Sequence, residues 1–110
     1  MSVAMESIDL VAMRASSDKA SALLKVLANP DRLLLLCQLT QGEQCVSDLE
    51  AKLGLQQPSL SQQLTVLRQA KLVSTRREGK QIYYSITSHE AQAVMQLLYS
   101  LFCQSCRKVV

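Results

Sequence analysis

The sequence predicts a mainly helical domain that carries one β-hairpin, and three observations lead there. Apolar residues, chiefly Leu, Ala and Val, recur at helical spacing through most of the chain. Only 2 Pro and 3 Gly interrupt its 110 residues. Between Val73 and Thr87 the apolar period shortens to two, as in strands. A chain of this size buries roughly two-thirds of its unfolded surface, so residues 1–110 are read as a single domain.

A weak amphipathic segment is expected from Val3 to Arg14. A second helix then begins at Ser16 or Ser17, either of which can cap it, and runs to Ala28 with Leu23, Leu24 and Leu27 inward. Asn29-Pro30-Asp31 opens the third helix. Asn caps it, Pro takes the first helical position where its missing N–H costs nothing, and Asp faces the positive helix end. This helix contains Leu33, Leu34, Leu35, Leu36, Cys37 and Leu39. It is apolar nearly all round, which predicts a central buried position, and Gln41-Gly42 ends it. A short helix is expected from Val46 to Leu53, with Ser47 and Glu50 at capping-box spacing.

Gly54-Leu55 turns the chain. The next helix opens near Gln57-Pro58 and continues to Ala70, with Leu60, Leu64 and Leu67 inward and Ser61, Gln62, Thr65 and Gln69 outward. Two strands follow, Val73 to Arg77 and Gln81 to Thr87, joined around Glu78-Gly79-Lys80 with Ile82, Tyr84 and Ile86 on one face. A last helix runs from Ser88 to Phe102. Its stripe of Ala91, Val94, Met95, Leu98, Leu101 and Phe102 is wider than one small core needs, so burial in a homodimer interface is expected.

Two helices joined by a short Gly-containing turn, followed by a basic hairpin, make a winged helix-turn-helix. In such a fold the second helix enters the major groove of duplex DNA by its N-terminal end, here Gln57, Ser59, Ser61 and Gln62. Gln can form two hydrogen bonds to adenine, and Ser bonds to bases or phosphates. The formal net charge of +3 is mild, but it is unevenly spread. Arg68, Lys71, Arg76, Arg77 and Lys80 lie close together with Glu78 as the one acid among them. The hairpin would bring Arg76, Arg77, Lys80 and Gln81 to the DNA backbone or an adjacent minor groove. An ordinary solvated face has the same composition. Arg32 and Arg68 suit either a phosphate contact or an internal pair.

No stretch approaches the roughly 20 apolar residues that span a bilayer. The N-terminal segment carries Glu6 and Asp9 and lacks a basic leader, so a cytoplasmic protein is expected. Thiols there are normally reduced, which makes the 4 Cys buried thiols, metal ligands or redox switches rather than a static framework. Taken alone, Cys37 reads as a small core hydrophobe. Cys103-x-x-Cys106 has redox-motif spacing but not the strand context of a thiol oxidoreductase, so neither an enzyme nor a cofactor is expected.

Several runs resemble the ArsR/SmtB repressors. They are Ala28-Asn29-Pro30-Asp31-Arg32-Leu33, Gln57-Pro58-Ser59-Leu60-Ser61-Gln62-Gln63-Leu64 and Leu67-Arg68-Gln69-Ala70-Lys71-Leu72-Val73, with Arg77-Glu78-Gly79-Lys80-Gln81-Ile82-Tyr83-Tyr84 similar to that family's wing. The resemblance spans about Leu23 to Phe102. It implies a dimer built on the first and last helices, and repression through a pseudo-palindromic operator until an inducer binds. A two-fold dimer would set its recognition helices about 34–36 Å apart. Gln63 departs from the pattern, because many members carry His there.

The resemblance also sorts the sensing sites. Arsenic-sensing members carry Cys-Val-Cys, whereas this chain has Cys45-Val46-Ser47. Zinc-sensing members need paired ligands on the last helix, which here carries His89, the sole histidine, expected to be a surface or cap residue. No metal site is therefore expected. A BigR/SqrR/YgaV-like subgroup places one cysteine in each of two helices. Leu-Leu-Cys-Gln-Leu around Cys37 and Leu-Tyr-Ser-Leu-Phe-Cys ending at Cys103 look like that pair. This resemblance implies a redox-sensing pair that reactive sulfur species or an oxidant bridges. A soft-metal sensor using Cys37, Cys45, Cys103 or Cys106 and a non-sensing architectural DNA binder are the alternatives. The roles of Cys45 and Cys106 stay open.

Overall fold

The structure, a computed structural model, describes residues 9–103. Its elements run α1 (Leu10–Leu27), α2 (Pro30–Leu39), β1 (Gln44–Cys45), α3 (Val46–Leu53), α4 (Ser59–Gln69), β2 (Val73–Glu78), β3 (Gln81–Ile86) and α5 (His89–Phe102). The first part of the expected Val3–Arg14 segment, and Cys106, lie outside the described residues.

Two helices were expected before Asn29, and one is found. Asp9 caps α1 by accepting from the Val11 amide at 3.3 Å, and the helix then continues without a break. Ser16 and Ser17 therefore sit inside it. Serine caps a helix only where the preceding backbone leaves helical geometry, and here nothing makes it leave. The inward face is also narrower than expected. Leu27 is buried and Leu23 half-buried, but Leu24 is 58% exposed. Most of this 18-residue helix, Leu10, Val11 and Met13 included, lies open to solvent.

At α2 the reading from caps holds. The Asn29 side chain accepts from the Arg32 amide at 3.0 Å, and Pro30 takes the first position. Leu35, Leu36 and Leu39 are buried, whereas Leu34 is exposed, so the helix is covered on most of its circumference and not all. The core joins these residues to Leu49 of α3 and to Leu60, Leu64 and Leu67 of α4. Each fully buried leucine contributes roughly 1.5–3 kcal/mol of transfer free energy. The period-3.6 reading of α4 thus placed its inward residues correctly.

The capping box expected at Ser47 and Glu50 does not form. Cys45 occupies the N-cap of α3 with no side-chain cap bond, and the Ser47 hydroxyl lies 3.3 Å from the Cys45 sulfur instead. The cause is β1, which the sequence reading lacked. Gln44 and Cys45 pair antiparallel with Tyr84 and Tyr83 of β3, completing a three-stranded sheet in the order β1-β3-β2. Gln44 is the buried polar residue of that strand. Its amide donates to the Gln38 carbonyl at 2.9 Å, and its oxygen accepts from Gln38 and from Lys52, both at 3.2 Å.

The hairpin is as expected. Val73 pairs with Ile86 and Glu78 with Gln81, leaving Gly79-Lys80 as a two-residue turn. Gly79 has φ 65 at the first central position, which a type II′ turn reserves for glycine. Ser88 caps α5 by accepting from the Ala91 amide at 3.0 Å. Ala91 and Met95 are buried, but Leu97, Leu101 and Phe102 are 56%, 63% and 75% exposed. Among the described residues no helix is long and apolar enough to cross a membrane.

Candidate nucleic-acid interface and cysteine groove

Gly54 closes α3 in the left-handed conformation, φ 71, and its amide donates to the Glu50 carbonyl at 2.9 Å. That residue turns the chain sharply enough for α4 to cross α2. With Leu60, Leu64 and Leu67 inward, helical geometry leaves Ser59, Ser61, Gln62 and Thr65 exposed on the outer side. The Ser61 hydroxyl donates to the side-chain oxygen of Gln57, and Thr65 donates to the Ser61 carbonyl at 2.9 Å. Arg32, Pro58, Ser61, Gln62, Gln63 and Thr65 are among the residues lining an open groove of about 510 Å³ beside this face.

The hairpin carries its charges unequally. Arg76 donates to Glu43 through Nε at 3.0 Å and Nη2 at 2.8 Å, and to Glu78 through Nη1 at 2.8 Å. Its guanidinium carbon also lies 4.9 Å from the centre of the Tyr83 ring, the cross-strand neighbour. Hydrogen bonds from Arg76 hold the Glu43 carboxyl below the usual carboxylate range, and those to Glu43 and then Glu78 raise Arg76. Among the described residues Arg77, Lys80 and Arg68 take part in no ion pair. Arg77, Lys80 and Gln81 are exposed at or beside the turn. Arg32 is half-buried and bonded internally, to the Val26 carbonyl at 2.6 Å and Gln63 at 2.8 Å.

Cys37 and Cys103 border the same apolar groove, of about 520 Å³ between α2 and α5, with Leu34, Met95, Tyr99 and Phe102 among its walls. Each is half-buried, and no disulfide is formed among the described residues. Cys45 is buried elsewhere, between the sheet and α3. His89 is the exposed first residue of α5, and among the described residues no three His, Cys, Asp or Glu side chains cluster to hold a metal ion. Sequence reasoning missed the contributions of Glu43 and Gln63. Nothing local to Glu43 signalled its partner, which β1 brings to it, whereas Gln63 had stood out only as a departure from the pattern the sequence otherwise resembles.

Helix-turn-helix, hairpin and closing helix together define a winged helix-turn-helix protein. The family described as "Bacterial regulatory protein, arsR family" matches residues 29–75. The chain is 51% identical over 96 residues to the biofilm growth-associated repressor of Agrobacterium fabrum, covering 87% of this chain and 82% of that protein. It is 42% identical over 98 residues to the transcriptional activator HlyU of Vibrio cholerae, covering 89% and 91%. The crystal structure of the transcriptional repressor BigR from Xylella fastidiosa superposes with a TM-score of 0.82 at 41% identity, covering 93% of this chain and 100% of that one. The chain belongs to the arsR family of bacterial regulatory proteins.

Proposed function

We propose that this chain is a homodimeric, cytoplasmic transcriptional repressor that leaves its operator when Cys37 and Cys103 become bridged. Gln57, Ser59, Ser61 and Gln62 read the major groove, and Arg77, Lys80 and Gln81 reach the backbone or minor groove. Arg76 belongs to the same wing, but two carboxylates already engage it, so its pull on phosphate is the weaker. The exposed apolar residues of α1 and α5 support a dimer. The first turns of the 18-residue α1 pack on nothing in the single chain, whereas helical stability in proteins comes mostly from tertiary packing of one face. Repression is the reading supported by 51% identity to a named repressor, against 42% to a named activator.

The observation that carries the sensing reading is the shared groove of Cys37 and Cys103. A persulfide RS–SH transfers its outer sulfur to one thiolate, and RS⁻ leaves. The second thiolate attacks the inner sulfur of the new protein persulfide and expels HS⁻, leaving a disulfide. Two thiols are thereby oxidised and one sulfane sulfur is reduced to sulfide. Each sulfur retained in a longer polysulfide bridge consumes one further donor. With peroxide, one thiolate becomes a sulfenic acid and the other displaces its oxygen as water. Such a bridge ties α5 to α2, and a fall in occupancy from 99% to 1% requires about 5.5 kcal/mol of differential affinity.

Intact-mass analysis and gel shifts before and after a persulfide donor test this reading. A Cys37–Cys103 link is expected, with loss of operator binding that Cys37→Ser and Cys103→Ser abolish. Normal release by either variant refutes the dithiol switch.

A further inference from the structure

Arg32 touches three helices at once. It lies in the first turn of α2, where its amide is held by the Asn29 cap at 3.0 Å. Its Nε donates at 2.6 Å to the carbonyl of Val26, near the end of α1, among the last carbonyls that a helix leaves without a partner of its own. Its Nη1 donates at 2.8 Å to Oε1 of Gln63 in α4, 31 residues away in the chain. A guanidinium is planar and presents its donors at fixed angles. One half-buried cation therefore fixes α4 against α1 and α2, in bonds shortened by its charge.

Gln63 stands between Gln62, which is exposed on the outer face, and Leu64, which is buried. The leucines set the depth of α4, but an apolar contact tolerates some rotation about the helix axis. A bond at Gln63 does not, because turning Gln62 toward or away from a duplex moves the neighbouring side chain off the guanidinium.

The geometry points to Arg32, acting through Gln63, as the positioning residue that sets the rotation of the recognition helix. Gln63 thus serves inward rather than reading a base. Arg32 is correspondingly a strut, since Nε and one N–H of Nη1 are engaged within the fold. This inference rests on the DNA-binding role proposed above and adds what determines its base preference.

The test uses the full chain as wild type, Gln63→Leu and Gln63→Glu. The probes are a duplex that the wild type enriches from a random-sequence pool and an unselected duplex of equal length. Fluorescence anisotropy at one fixed salt concentration gives the ratio of the two affinities. Leucine keeps the volume but accepts no bond, and its ratio is expected to fall about tenfold, the scale of one hydrogen bond to a charged group. Its affinity for the unselected duplex stays unchanged. Glutamate accepts from Arg32 as Gln63 does. Its added charge weakens both duplexes together and leaves the ratio within about threefold of wild type. A loss of thermal stability alone would not lower the ratio. An unchanged ratio in Gln63→Leu, or an equal loss in Gln63→Glu, overturns the inference alone. Failure of the wild type to enrich any sequence overturns the DNA-binding reading, and the inference with it.

Discussion

Leu97 and Leu101 of α5 lie four residues apart and so share one helix face. In the single chain they are 56% and 63% exposed, and neither lines the cysteine groove. Replacing both with Ser therefore tests the dimer while leaving the core and the thiols untouched. Full transfer of a leucine side chain out of water is favourable by roughly 1.5–3 kcal/mol. With somewhat more than half of each still open, a covering partner recovers roughly 1–2 kcal/mol per residue. A two-fold interface contains each residue twice, so the double variant loses roughly 4–7 kcal/mol of association free energy. That raises its dimer dissociation constant about a thousandfold to a hundred-thousandfold. Sedimentation over a concentration series reads the change directly, and far-UV circular dichroism verifies that the protomer retains its helices. A variant that dimerises as tightly as wild type refutes the assignment of this face. A wild type that is monomeric at tens of micromolar refutes the dimer altogether.

Further predictions concern the DNA face and the wing. Gln62→Ala is expected to relax base preference at one position of each half-site, by roughly 1–3 kcal/mol, whereas Arg77→Ala weakens all sequences alike and lowers the salt slope by about one. Arg76→Ala should lower that slope less, because Glu43 and Glu78 already hold its guanidinium; equal slope changes for the two arginines would contradict the division of labour. Glu43, lowered by its hydrogen bonds from Arg76, should titrate by carboxyl NMR below the ordinary Glu range and return toward it in Arg76→Ala. A carboxylate lowered in the folded state stabilises it above the unfolded value, and that contribution disappears as pH falls through the folded value. The Glu43–Arg76 ion pair is therefore lost only in acid. A Glu43 midpoint unaffected by Arg76→Ala would show that the ion pair is absent in solution.

The elements that were legible in the sequence are those written by residues close together in the chain. Asn29-Pro30 marked the start of α2, the leucine spacing of α4 marked its inward face, and Glu78-Gly79-Lys80 marked the wing. A cap, a helical face and a tight turn are each decided within a few residues, so one strand of sequence contains the whole signal. The same reasoning erred at Ser16 and Ser17, since a residue able to cap does so only where the backbone has already left the helix. It also missed β1, because two residues cannot display a strand period and owe their conformation to β3.

What only the tertiary structure decided depends on groups distant in sequence. Glu43 and Arg76 are 33 residues apart, and Arg32 and Gln63 are 31 apart. Composition presented all the wing cations as equivalent, but the fold compensates Arg76 and leaves Arg77 and Lys80 without an ion pair among the described residues. Likewise, sequence could place Cys37 and Cys103 on two helices, but only the packing of α5 on α2 gives them a common groove. Local preference follows from a residue and its neighbours, whereas pairing follows from which surfaces the core leucines bring into contact.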